Sequence, residues 1–169
     1  MTKRKILVNL FILTFVGVLI IPQHLKMPVL GADSGSYNAQ SFWAYPWGKS
    51  VTHKGVDIFA PKGTQVQAAT SGIVLYAGIL KLGGNVVFVL GPKWRLHYYA
   101  HLHTIQAKTL SWVSRGDGIG TVGTSGNAAG KPPHLHYSIQ TPIPYPWRID
   151  SSIQGWKKMF YLNPVEYFE

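Results

Sequence analysis

Histidine dominates the residues that could do chemistry in this chain. Seven occur in 169 residues, and six of them fall between His53 and His136. Three groupings matter. In His134-Leu135-His136, two preceding prolines favour extended backbone, and residues two apart in a strand project from one face. Both imidazoles therefore point into one site, with Leu135 in the opposite layer. In His53-Lys-Gly-Val-Asp57, a four-residue separation across a Gly-containing turn lets an imidazole and a carboxylate share one cation. Zinc accepts both, at about 2.0–2.2 Å. In Leu96–His103, alternation sets His97, Tyr99, His101 and His103 on one face and Tyr98, Ala100 and Leu102 on the other.

Catalytic zinc sites commonly have three protein ligands and one open position. His53, Asp57 and one histidine of the late pair satisfy that count. The remaining histidines could orient a water, take its proton or stabilise a developing oxyanion. A closed structural site would need a fourth ligand, and the chain has no cysteine to supply it. Alternation offers three candidate histidines in the 96–103 segment and does not choose among them.

These residues need a scaffold of short strands. Gln65–Ala69, Gly72–Gly78, Asn85–Leu90, Arg95–Leu102, Ile119–Val122 and Leu135–Gln140 are rich in β-branched or aromatic residues and bounded by Gly, Pro and Ser turns. The expected fold is all-β, mainly antiparallel, with the site in a groove. Gly123–Pro133 reads as a loop, with three Gly and two Pro. Prolines after Thr141 exclude a central strand there, and Asn163-Pro164 opens a short helical turn.

The N-terminus differs in kind. Lys3, Arg4 and Lys5 precede a largely apolar run from Ile6 to Ile21, closed by Pro22. Sixteen helical residues span about 24 Å, short of a ~30 Å hydrocarbon core and long for a signal-peptide segment. Residues 1–31 are therefore expected to be a signal peptide or a membrane anchor, tethering through residues 6–21 if retained. Val29, Gly31 and Ala32 are small residues near a possible cleavage point. Residues 32–50 read as a linker and 51–169 as the folded domain, exported to a periplasmic, cell-wall or other extracytoplasmic location. Net charge is +10; beyond the leader, 12 basic residues face 6 acidic ones. That surface suits an anionic polymer or membrane face. The basic residues are scattered singly and the leader directs export, so nucleic acid is not the expected partner.

HKGVDIFAPKGTQVQAATSGIV, YYAHL, IGTVGTSGNAAGKPPHLHYSI and NPVEYF resemble, in order and spacing, the lysostaphin-type (LytM-like) zinc endopeptidases. The resemblance covers roughly Thr52 to Ile139. It implies one Zn2+ per chain held by His53, Asp57 and His136, with His101 and His134 as non-ligand catalytic histidines and His97 and His103 as bystanders. It implies hydrolysis, by a zinc-activated water, of peptide bonds in bacterial cell-wall peptidoglycan, at cross-links or interpeptide bridges. The alternative is a zinc-retaining, non-catalytic wall-binding module that activates another wall hydrolase. The stretch before His53, YPWGKSVT, departs from the family's frequent Phe-Gly-x-Arg approach.

Overall fold

Alternation of apolar and polar side chains makes sheets with one buried face, and that is the architecture in the computed structural model, which describes residues 2–168. The strands are β1 (Val56–Phe59), β2 (Gln65–Gln67), β3 (Gly72–Leu80), β4 (Gly84–Leu90), β5 (Leu96–Leu102), β6 (Thr104–Ile105), β7 (Trp112–Val113), β8 (Gly118–Thr121), β9 (His134–Gln140) and β10 (Tyr161–Leu162). A seven-stranded antiparallel sheet runs β1-β9-β5-β4-β3-β7, with β10 also on β9. A second sheet runs β2-β8-β6. The all-β expectation holds. Each of the six expected strands is present, with ends shifted by up to two residues; β1, β6, β7 and β10 are additions. Asn163 caps the terminal turn Pro164–Tyr167, its Oδ1 accepting from the Val165 N–H at 3.2 Å.

The core lies between the sheets. Leu135, Tyr137 and Ile139 of β9, Val87 and Val89 of β4 and Tyr99 of β5 meet Val66, Ile119 and Val122 of the smaller sheet and its edge. The other face of the large sheet carries a row of rings. Tyr76 lies 6.4 Å from Phe88, Phe88 4.5 Å from Tyr98, and Tyr98 6.1 Å from His136.

The residues before the sheets also pack. Helix α1 (Lys3–Ile20) buries no side chain, and among the described residues no helix is long and apolar enough to cross a membrane. After it, Leu25 and Val29 are fully buried in the core, each worth about 1.5–3 kcal/mol relative to exposure. Residues 26–30 run along the free edge of β2. Gln67 N–H donates to Pro28 O at 2.8 Å and Leu30 N–H to Gln65 O at 3.0 Å, while Lys26 N–H donates to Ala69 O at 3.0 Å. Within 32–50, the stretch expected as a linker, Tyr37 bridges Ile58 of β1 and Trp43 N–H donates to His53 O at 2.6 Å.

His97 shows how a buried histidine is satisfied without being a ligand. Gln23 Nε2–H donates to its Nε2 at 2.8 Å, and its own Nδ1–H donates to Tyr137 Oη at 2.6 Å. Tyr137 in turn bonds Tyr99, whose hydroxyl accepts from Ala69 N–H at 2.9 Å. Burial, reinforced by the Arg95 charge, pushes the His97 pKa down to about 3. The unfolded chain takes up a proton near pH 6.5 that the native state refuses until about pH 3, so stability falls as pH drops through that window. His97→Gln should flatten the slope by about 1.4 kcal/mol per pH unit between pH 6 and 4. Urea denaturation of both proteins across that range checks it; parallel curves would refute the assignment.

Candidate metal centre

Strand register builds the site. Asp57 of β1 and Ala100 of β5 both pair with His136 of β9, on its two sides. Period-2 alternation puts Asp57 and His136 on the face away from the core, since their neighbours Val56, Ile58, Leu135 and Tyr137 fill it. His53 enters from the preceding loop and is 1% exposed. Its Nδ1–H donates to Ser41 O at 3.0 Å. A carbonyl only accepts, so Nδ1 carries the proton and Nε2 presents a lone pair.

That lone pair points at other acceptors. His53 Nε2 lies 3.1 Å from Asp57 Oδ1 and 3.1 Å from His136 Nδ1, and the last two are 2.8 Å apart. Ligand atoms about 2.0–2.1 Å from a tetrahedral zinc stand roughly 3.3 Å from one another. The three atoms therefore have the spacing and chemistry of a metal-ligand set, and His53, Asp57 and His136 are a group able to hold an ion. Burial opposes the charge on the Asp57 carboxyl, yet ring N–H groups facing it would hold it well below the usual carboxylate range, and a metal ion in the place of those protons would keep it ionised in the same way. Burial lowers the His136 pKa from the ordinary imidazole range, against the raising effect of Asp57.

Gly55 explains the H-x-G-x-D spacing. A Cβ there would meet the Tyr137 carbonyl oxygen, and the His136 ring at 3.0 Å. Gly55→Ala should displace the His136 strand and weaken zinc binding by about 10–100-fold, the range seen when residues supporting metal ligands are lost. Competition with a chromogenic chelator checks this; wild-type affinity would show that the contact relaxes freely.

Two more imidazoles face the same point. His134, two residues before His136, donates from Nδ1 to Pro132 O at 2.8 Å, leaving Nε2 3.9 Å from Asp57 Oδ2. His101 donates from Nδ1 to Ser125 O at 2.9 Å, and its ring is 5.2 Å from that of His134 and 6.0 Å from that of His136. Simple alternation fails here. His97 and Tyr99 face the core, Tyr98 and Ala100 line the groove, and His101 joins the groove because its backbone is left-handed, with φ 65°. The reversal at His101 separates it from His97, as alternation alone could not. Burial and the neighbouring His136 and His134 lower the His101 pKa to about 4. His103, beyond the turn, is exposed and lines neither cleft at the site.

His101 owes its position to main chain. His101 N–H donates to Gly83 O at 2.8 Å. Asn85 N–H donates to Ser125 Oγ at 2.9 Å and Asn127 N–H to Leu82 O at 2.9 Å, pinning the 123–133 loop to the β3–β4 turn. Gly84 and Gly126 (φ 65° and 67°) approach so closely there that a Cβ on either would strike the other strand's backbone.

Trp47 was not singled out from the sequence. Its ring stacks on His53 at 4.0 Å and 16°. It walls a cleft of about 480 Å³ lined also by Lys54, Tyr98, His101, Lys131 and His136. A second cleft, lined by Asp57, Phe59, Pro132 and His134, shares Trp47, His101, Lys131 and His136 with the first. The site thus lies where two stretches of one groove meet. No sequence pattern distinguishes Trp47 from the other rings of residues 42–47, and the Ser41, Pro132 and Ser125 acceptors are main-chain atoms.

The chain is similar to known peptidases in sequence and in fold. A family model described as Peptidase family M23 matches residues 51–146, more than half of the chain. The peptidoglycan DD-endopeptidase ShyC of Vibrio cholerae is 37% identical over 92 residues, 54% of this chain and 21% of the relative. The L-Ala–D-Glu endopeptidase of Bacillus subtilis is 38% identical over 112 residues, 61% of this chain and 34% of the relative. The chain thus spans only a fifth to a third of the length of these relatives. Among solved structures, the catalytic domain of lysostaphin from Staphylococcus simulans superposes with a TM-score of 0.61 at 26% identity, covering 79% of this chain and 92% of that one. A zinc-containing peptidase from Vibrio cholerae superposes at 0.55 and 26% identity, over 69% of this chain and 36% of the other.

Proposed function

Because the chain belongs to peptidase family M23, we propose that it is a zinc metalloendopeptidase that hydrolyses peptide bonds of bacterial peptidoglycan outside the cytoplasmic membrane. The observation that supports this most is the convergence of His53 Nε2, Asp57 Oδ1 and His136 Nδ1 within 2.8–3.1 Å, with two non-ligand imidazoles facing the same point.

In this reading His53, Asp57 and His136 would hold one Zn2+ per chain. When bound, zinc lowers the pKa of a water towards ~7 and polarises a substrate carbonyl. The chain's own residues do the rest. His134 and His101 each spend Nδ1–H on a carbonyl, so each Nε2 is fixed as a proton acceptor aimed into the groove. One of them takes the proton of the attacking water and returns it to the leaving amine. His134 Nε2 lies 3.9 Å from Asp57 Oδ2, beside the triangle of ligand atoms. Trp47 and Tyr98 wall the peptide, and Lys131 sets positive charge beside it.

The test is digestion of purified peptidoglycans with direct cross-links and with glycine bridges, before and after stripping metal with a chelator. The reading requires shortened peptide fragments from at least one wall, loss of that release on stripping, and recovery with one equivalent of zinc. Zinc uptake without product from either wall would favour the non-catalytic activator.

A further inference from the structure

The segment joining α1 to the sheets is part of the folded domain. Leu25 and Val29 are 0% and 1% exposed within the core, and Leu25 bridges Phe168 at the far end of the chain. Residues 26–30 cover the free edge of β2, which would otherwise present unpaired groups. Gln23 joins two buried side chains: its Nε2–H donates to His97, and its Oε1 accepts from Arg95 Nη1 at 2.5 Å. Cleavage at the small residues Gly31 and Ala32 would withdraw two core side chains, uncover β2 and strip His97 and Arg95 of a partner.

The helix is also gripped from the side. Trp94 Nε1–H donates to Phe15 O at 3.1 Å, its ring stacks on Phe15 at 5.3 Å, and Lys93 Nζ donates to Leu19 O at 2.9 Å. Away from this contact the run Ile6–Ile20 has no continuous polar face, Asn9 and Thr14 being its only polar side chains, whereas a helix seated on protein shows one apolar stripe. Hydrocarbon is the medium that matches such a surface. Lys3, Arg4 and Lys5 at its start, and Lys93 beside its end, suit anionic headgroups.

We propose that α1 is not removed but stays joined to the domain and seats it directly on the lipid bilayer, so that the chain works membrane-attached. This rests on the exported reading above, yet is measured without hydrolysis: the full chain is produced in a bacterial host, fractionated, and each fraction weighed by mass spectrometry. The expected result is one species that retains α1, in the membrane fraction after an alkaline carbonate wash. A folded species beginning at 32 or 33, or a soluble species with or without α1, would overturn it. Activity assayed on the same fractions bears on the enzyme reading alone. Val29→Ala in the full chain supplies a second measurement. Its thermal midpoint should fall by roughly 5 °C, as for a core truncation; an unchanged midpoint would make this segment a mere tether and overturn the proposal.

Discussion

His136→Ala is expected to remove metal and activity together. His136 sits between the strands that carry Asp57 and Ala100, and its Nδ1 is 2.8 Å from Asp57 Oδ1 and 3.1 Å from His53 Nε2. Without it two ligands remain, too few for a site that normally uses three. Zinc should drop from one per chain to about a tenth or less, and hydrolysis by at least ~10³-fold, about 4 kcal/mol of lost transition-state stabilisation. The ring is part-exposed on the groove face and no core contact depends on it, so the fold should persist. Metal analysis and circular dichroism of one preparation check both halves. Stoichiometric zinc in the variant would refute the ligand assignment.

His134→Ala is expected to separate the two properties. His134 lies on the same face of β9 but its Nε2 stops 3.9 Å from Asp57 Oδ2, outside the close triangle of donor atoms. Zinc should stay near one per chain while turnover falls ~10²–10⁴-fold, the usual worth of a positioned proton-transfer group. His101→Ala should behave likewise. If the two imidazoles act on one proton path, the double variant should lose much less than the product of the single losses. Full turnover in His134→Ala would move the proton-transfer role to another residue.

How much of this was legible depends on where each contact lies. H-x-H is readable because a strand period of two puts both side chains on one face, and the pairing of His136 with Asp57 bears that out. H-x-x-x-D is readable as a motif, although Asp57 lies in a strand and not in a turn. His101 was ambiguous to physical reasoning: its φ of 65° reverses the alternation at one residue, and nothing in YYAHL announces a left-handed histidine. The carbonyls that orient His53, His134 and His101 carry no side-chain signature. Residues 22–31 are harder to read. Their small and apolar types fit the end of a leader, yet Leu25 and Val29 are buried by pairing with β2 and the C-terminus, contacts 37 and more residues away. Local pattern does not report such distant partners.

Anomalous scattering at the zinc absorption edge, from crystals of the zinc-loaded chain, locates the metal outright. One strong peak per chain is expected, about 2.0–2.2 Å from His53 Nε2, Asp57 Oδ1 and His136 Nδ1, with His101 and His134 outside bonding distance. A peak bonded to His101 or His134, or none at the Asp57 triangle, would contradict that ligand assignment.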